Sequence, residues 1–323
     1  SKNIACFFFV ILCLLPNMTK SLMSFYQRTL PSTCTRLSSP EGQAIFGSAF
    51  ANGGCNAFFP LIEQFTTQTE PAFCGLSTLV VVLNGLAVDP RRTWKGPWRW
   101  YEESMLNCCE DLEKIKEKGI TFRKFCGFAR CQGLKVDEQF AADSSVEEFR
   151  NYVKRSCMAT GEENDQREFI VVSYTRKVLQ QTGSGHFSPI AAFDPVSDAV
   201  LILDVARFKY GPHWVPLTLL FEAMLEKDPD DNAPSRGYTL LSAPMEEGMP
   251  QSILFRVRPT LKEGAGNALT SYKDFVEEIE RNGKEQFTWN DAVKYWTKNR
   301  TSRNFVWKVI QPQLSPVTPS EIE

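Results

Sequence analysis

Histidine is almost missing from this chain: two residues in 323, His186 and His213. The imidazole is the side chain whose ordinary pKa lies closest to neutrality, and it is the usual activator of serine and cysteine nucleophiles. Any chemistry of that kind must run through one of these two residues. Cysteine stops early. All ten lie at or before Cys157, without the regular spacing of a small disulfide scaffold, so reduced thiols and a cytosolic setting are expected. The net charge is −2, which leaves no basic footprint for nucleic acid. A long apolar segment is lacking too: the unbroken run 4–15 falls short of the roughly 20 residues that span a bilayer, and no stable membrane span is expected.

That run has the character of a signal's apolar region, with Lys2 as its one positive flank. Its best small-residue cleavage site, Thr19-Lys20-Ser21, is poor, and Met18 and Met23 could each start a protein without it. Residues 1–23 are therefore set aside as a targeting segment or upstream non-native sequence. A working targeting segment would place the protein in mitochondria or the secretory route, and only secretion would give meaning to the sequons at Asn17 and Asn299. Residues 24–242 read as one compact unit, helical first and strand-rich later. Residues 243–323 read as a smaller C-terminal region, with a strand at 253–257, a helix at 271–280 and a disordered tail from 312. The fold class expected is α+β.

Within 24–242, Leu76, Leu79, Val80, Leu83 and Leu86 follow Cys74 at helical spacing, and Val81 and Val82 add apolar character on the other faces. This predicts a buried central helix. The β-branched content of 79–83 allows a strand instead, but length and flanking glycine and proline favour the helix. Amphipathic helices are expected at 110–117 and 146–153, a polar loop at 159–167, and another loop at 228–234. The aromatic stretch 95–100 reads as a packed loop, with Trp94, Trp98 and Trp100 as core and loop anchors. Strands are expected at 169–174, 187–193 and 200–205, the last two joined by the turn Asp194-Pro195-Val196-Ser197-Asp198. A hairpin centred near Val196 sets Asp204 opposite Ser188 and diagonal to His186 on the same face. Diagonal cross-strand Cβ atoms lie about 7–8 Å apart, within reach of a carboxylate to an imidazole.

Cys74, His186 and Asp204 thus form a nucleophile, a base and an orienting carboxylate, in the order papain-type enzymes use. A thiol of pKa near 8.5 needs help to ionise; a helix N-terminus and an adjacent imidazolium both supply it. Taken alone, Cys74 reads more readily as a small buried hydrophobe. His213, in an aromatic, proline-rich turn, reads as structural. Gln68, six residues before Cys74, stands at the spacing at which papain-like enzymes carry a side-chain oxyanion donor, with the Cys74 N–H as its partner.

Several blocks turn the reading of Cys74: 70–77 (EPAFCGLS), 95–100 (KGPWRW), 103–106 (ESML), 181–189 (QTGSGHFSP) and 204–210 (DVARFKY). In these the chain resembles the phytochelatin synthases, the glutathione γ-glutamylcysteinyltransferases of the papain-like clan, over most of its length. The resemblance implies a papain-like fold, with a helical part carrying the nucleophile and an antiparallel sheet carrying His and Asp. It implies Cys74 as nucleophile, His186 as acid/base, Asp204 as its orienter and Gln68 in the oxyanion hole. It also implies transfer of γ-Glu-Cys units between glutathione molecules, stimulated by heavy metals, in metal detoxification.

Both substrates are anionic, and Arg207 and Lys209, just after Asp204, are the candidate cations. Thr67 is considered as a phosphorylation site paired with Arg207. Cys108, Cys109, Cys126 and Cys131 are candidate soft-metal ligands, although Cys126 and Cys131 do not make a CxxC pattern and adjacent cysteines chelate one ion poorly. No cysteine follows Cys157, so metal sensing through C-terminal cysteines, as in many relatives, is not expected of these residues. Cadmium, zinc or copper ions are expected as activators, arriving as glutathione thiolates, with no organic cofactor. The resemblance also implies a homodimer. Two alternatives stand: a peptidase removing glycine from glutathione or its conjugates, and a non-catalytic metal–thiolate binder.

Overall fold

In the computed structural model the described residues are 26–107, 109–158 and 167–243. Their helical part comes first. Ser39 caps α1 (Pro40–Ala51) by accepting from the Gly42 N–H at 3.1 Å, and Pro40 sits in the first turn, where a missing N–H costs nothing. α2 (Phe58–Glu63) follows, then α3 (Cys74–Gly85). α3 is buried continuously from Gly75 to Leu83, which settles the choice between helix and strand: an apolar surface on every face suits a helix enclosed on all sides. α4 (Leu112–Lys118) begins where the Asp111 carboxylate accepts from the Glu113 N–H, two residues later than the sequence suggests. α5 (Phe122–Cys131) is capped by Thr121. Ser145 caps α6 (Val146–Cys157), which runs one turn beyond the expected 146–153.

The strands are β1 (Thr35–Arg36), β2 (Lys135–Phe140), β3 (Glu168–Thr175), β4 (Gly185–Asp194), β5 (Ala199–Ile202), β6 (His213–Pro216) and β7 (Gly237–Ser242), with α7 (Leu217–Leu225) between the last two. They make one seven-stranded sheet in the order β1-β6-β5-β4-β3-β7-β2, antiparallel at every pairing. The class is α+β. β3 and β4 are buried along almost their whole length rather than at alternate positions, so helices cover the sheet centre on both faces.

One irregularity places the chemistry. Near the turn, Asp194 pairs with Ala199 and Ala192 with Leu201, a register that would carry Asp204 opposite Pro189 and onto the wrong face. A bulge between Ile190 and Ala192 shifts the count by one, so that Ile190 faces Ile202. Continued two residues, this register sets Asp204 beside Ser188, on the face of His186. The strand ends at Ile202, earlier than the expected 205. The Asp194 side chain holds the turn by accepting from the Val196 and Ser197 N–H groups and from the Ser48 hydroxyl.

The tryptophan loop departs from expectation. Trp98 is 72% exposed, Trp100 42% and Trp94 38%, so none is a core residue. Trp94 anchors the loop by donating to Glu102 at 2.6 Å and carrying the Lys95 ammonium over its ring. The elements expected at 253–257 and 271–280, the tail from 312 and most of the loop 159–167 lie outside the described residues.

Candidate active site

Cys74 is the first residue of α3, whose opening N–H groups have no intrahelical acceptor and present a partial positive charge. β4 brings His186 to it. Tyr174 pairs with His186 across β3 and β4, and its ring meets the imidazole edge-on at 5.8 Å. The His186 Nε2 lies 2.8 Å from Asp204 Oδ1, with both side chains buried. With Nε2 taken, Nδ1 is the ring nitrogen left for the Cys74 thiol. Asp204 Oδ1 also accepts from the Ala206 N–H at 2.9 Å, which fixes the carboxylate from its own loop.

The electrostatics favour charge separation. Burial pushes the Cys74 thiol up, but the His186 imidazolium, a hydrogen bond from that ring, the Phe187 N–H and the Arg176 charge outweigh it and hold the thiol below its ordinary value. For His186, burial and the Arg176 charge act downward, while Asp204 and the Cys74 thiolate act upward and win. Asp204 would be raised by burial, yet the charges of His186 and Arg176 keep it well below the carboxylate range. A thiolate–imidazolium pair beside an ionised carboxylate is the state these surroundings select.

Sequence reasoning missed Arg176. It follows β3, is buried, and donates through Nη2 to Asp204 Oδ2 at 2.7 Å, while its guanidinium covers the Tyr210 ring at 5.1 Å. The signal was an arginine two residues after the run 169–174, but its partner is 28 residues away and invisible without the fold. Arg236 was missed as well. Its guanidinium lies flush against Gly185: a Cβ there would sit 2.5 Å from Arg236 Nη1. Arg236 bonds Asp228 at 2.7 Å, and its buried Nε has no partner; nor has the buried Oδ2 of Asp231.

Gln68 is buried, but its side chain is differently employed from the expectation. Nε2 donates to the carbonyls of Glu70 and Pro71, both at 2.8 Å, which spends both amide hydrogens on the turn leading to Cys74. In this conformation it holds the loop rather than offering a donor. Glu103, another buried carboxylate, secures the same loop by accepting from the Thr69 N–H at 3.2 Å and from its hydroxyl.

A thiol beside an imidazole that a carboxylate holds in turn can perform acyl transfer. The sequence profile of the phytochelatin synthases matches residues 25–238. The chain belongs to the phytochelatin synthase family. Among curated relatives, glutathione gamma-glutamylcysteinyltransferase 1 of Arabidopsis thaliana is 49% identical over 228 residues, 70% of this chain and 46% of that protein. Glutathione gamma-glutamylcysteinyltransferase 3 of Lotus japonicus is 50% identical over 218 residues, 67% of this chain and 44% of its own length. The glutathione gamma-glutamylcysteinyltransferase of Schizosaccharomyces pombe is 45% identical over 218 residues, 68% and 51% of the two chains. The chain thus spans about half the length of the curated relatives it matches.

The remaining site candidates of this phytochelatin synthase family member fall in different places. Lys209 is half-buried and donates to the Thr182 carbonyl at 3.3 Å; burial and the Arg176 charge lower its ammonium pKa. Arg207 is exposed, with its guanidinium over the Phe65 ring at 5.2 Å, close in sequence to the exposed Thr67. Cys126 is buried in α5, where burial and the Glu138 carboxylate push its thiol well up, the reverse of what a thiolate ligand needs. Cys131 ends the same helix five residues on, about 140° round the helix axis from Cys126, so the two do not converge. Cys109 is exposed, and Cys108 lies outside the described residues. Among the described residues no three His, Cys, Asp or Glu side chains gather as a metal site, and no helix is long and apolar enough to cross a membrane.

Proposed function

We propose that this chain is a papain-like glutathione γ-glutamylcysteinyltransferase that makes phytochelatins, with residues 24–242 as its catalytic domain. The observation that carries the reading is the contact of Cys74, His186 and Asp204 at the N-terminus of α3 in a chain of this family. The Cys74 thiolate attacks the carbonyl of the Cys–Gly amide of glutathione. The C–N bond breaks, His186 gives its Nδ1 proton to the departing glycine amine, and a γ-Glu-Cys thioester stays on Cys74. The α-amino group of a second glutathione then attacks the thioester and yields its proton to His186. The C–S bond breaks and the thiolate returns, giving (γ-Glu-Cys)2-Gly. Asp204 keeps the imidazole oriented and offsets its charge throughout.

The oxyanion lies over the first turn of α3, where the Cys74 N–H is at hand. Donation by the Gln68 amide requires it to release Glu70 or Pro71 first. The γ-glutamyl end of glutathione carries an α-carboxylate and an α-ammonium, complementary to the unpartnered Arg236 Nε and Asp231 Oδ2. Lys209 and Arg207 are cations for the second, anionic substrate. Cadmium, zinc or copper enters as glutathione thiolate, a form that needs no cluster of protein ligands. A cytosolic setting is proposed, where the cysteines would stay reduced. A homodimer is the assembly proposed.

Intact-mass measurement after mixing with reduced glutathione tests the nucleophile. The account expects a γ-Glu-Cys adduct on the Cys74 peptide with release of glycine, and neither in Cys74→Ser. Glycine release without dependence on Cys74 would overturn it.

A further inference from the structure

The second histidine is joined to the triad by an unbroken buried chain of polar contacts. His213 lies on β6, fully buried, with Nδ1 2.8 Å from the Gly211 carbonyl and Nε2 2.9 Å from Gln181 Nε2. A carbonyl can only accept, so Nδ1 carries the proton and Nε2 accepts from the Gln181 amide. That fixes which way the Gln181 amide faces: nitrogen toward His213 and Cys34, oxygen toward Arg176. Arg176 donates Nη1 to that oxygen and Nη2 to Asp204 Oδ2, and Asp204 holds His186. Every member from His213 to His186 is buried.

We propose that His213 and Gln181 are positioning residues of the active site: a neutral His213 sets the Gln181 amide, which holds Arg176 where its other arm pins Asp204 against His186. The inference rests on the reading of Cys74 as the nucleophile. Its physical logic is that of a fully connected buried network. One wrongly turned amide would face its NH2 against the guanidinium and leave a buried charge partly unsatisfied. Arg176 would then shift, and the Asp204 carboxylate would lose one of its three fixed partners. A second effect follows from charge. Arg176 opposes protonation of His186, whereas Asp204 favours it, so the placement of Arg176 sets how much of the carboxylate's charge the imidazole experiences. The charged and titratable groups around this chain of contacts are Arg176 and Tyr174 from β3 and its end, Asp204 from the loop after β5, His213 from β6, Cys34 beside Gln181, and Lys209, whose ammonium meets the charges of Arg176 and Asp204.

The test uses the full chain and follows iodoacetamide alkylation of Cys74, located by peptide mass spectrometry, from pH 4 to 10, with added N-acetylcysteine as the reference thiol. His213→Leu removes the acceptor, while His213→Gln keeps one in a side chain long enough to reach Gln181. The expected result is a displaced pH profile of Cys74 in His213→Leu, by about threefold or more in rate on its acid limb, with kcat for glutathione falling and KM little changed. Recovery of the parental profile in His213→Gln is expected as well. Should His213→Leu fail to fold, Gln181→Met breaks the same chain one link closer and should displace the profile in the same way. A folded His213→Leu or Gln181→Met with a parental Cys74 profile overturns the inference, even if its melting temperature is lowered. Failure of the underlying reading would look different: Cys74 of the parent protein would then alkylate with the profile of N-acetylcysteine in the same solution.

Discussion

Replacing Asp204 by Asn is the most informative single change, because it removes one charge and almost no volume. Asp204 lies between two cations, His186 at 2.8 Å and Arg176 at 2.7 Å, with no exposure to solvent. Two unit charges about 4 Å apart at an effective dielectric of about 20 interact by about 4 kcal/mol, which corresponds to about three pKa units. Loss of the carboxylate removes that support from His186 and leaves the opposing Arg176 charge uncompensated. The imidazolium then no longer persists at neutral pH, and the thiolate of Cys74 disappears with it. Stability also falls, since breaking a buried ion pair at one partner typically costs about 3–5 kcal/mol. The sign with pH is definite. The folded-state pKa of Asp204 is depressed, so its stabilisation is complete above the unfolded value near 3.9 and fades as pH falls toward the native one. The variant should lose that acid-dependent portion of stability. Alkylation of Cys74 at pH 6.5 should slow by about a hundredfold or more in Asp204→Asn, measured below its melting temperature by stopped-flow mass labelling. A folded variant whose Cys74 alkylates at the parental rate would refute the reasoning.

Other outcomes follow from the same geometry. Transfer activity should rise as pH passes the lowered Cys74 value and fall as it passes the raised His186 value, giving a bell whose limbs belong to the pair rather than to either residue; initial rates across pH 5–10 check this. Gly185→Ala places a methyl 2.5 Å from Arg236 Nη1, so it should displace that guanidinium and raise KM for glutathione at least tenfold in steady-state kinetics, with Cys74 alkylation unchanged. Gln68→Ala removes the two bonds that hold the turn before Cys74 and should lower the melting temperature as well as kcat, by about 1–3 kcal/mol of stability for stranded buried carbonyls. Trp98→Ala, at an exposed position, should shift stability by less than about 0.5 kcal/mol in denaturant titration.

The sequence made α3 legible because an apolar run of that length has few other folds open to it. The placement of His186 and Asp204 was legible from a turn signal and strand parity. The expected hairpin reached the right face for a reason it did not contain: the real turn alone would have sent Asp204 to the opposite side, and the bulge near Ala191 returned it. No glycine stands in the local sequence Pro189-Ile190-Ala191-Ala192, and its one signal of a bulge is Pro189, which has no N–H to give the ladder of a central strand. Arg176 and Arg236 were invisible for a related cause: each matters through a partner or neighbour distant in sequence, Asp204 for one and Gly185 for the other. Composition also misled at the tryptophan loop, because large aromatic side chains suggest burial, whereas hydrogen bonding and cation–π contact here hold the loop at the surface.

The central claim is that Cys74 carries γ-Glu-Cys from one glutathione to another. The most direct measurement is mass spectrometry of the products formed from reduced glutathione, with and without cadmium, by the parent protein and by Cys74→Ser. The account predicts (γ-Glu-Cys)2-Gly from the parent, more of it with cadmium, and none from Cys74→Ser. Glycine and γ-Glu-Cys without the longer peptide would contradict transfer and mark a peptidase, and absence of any turnover would contradict catalysis itself.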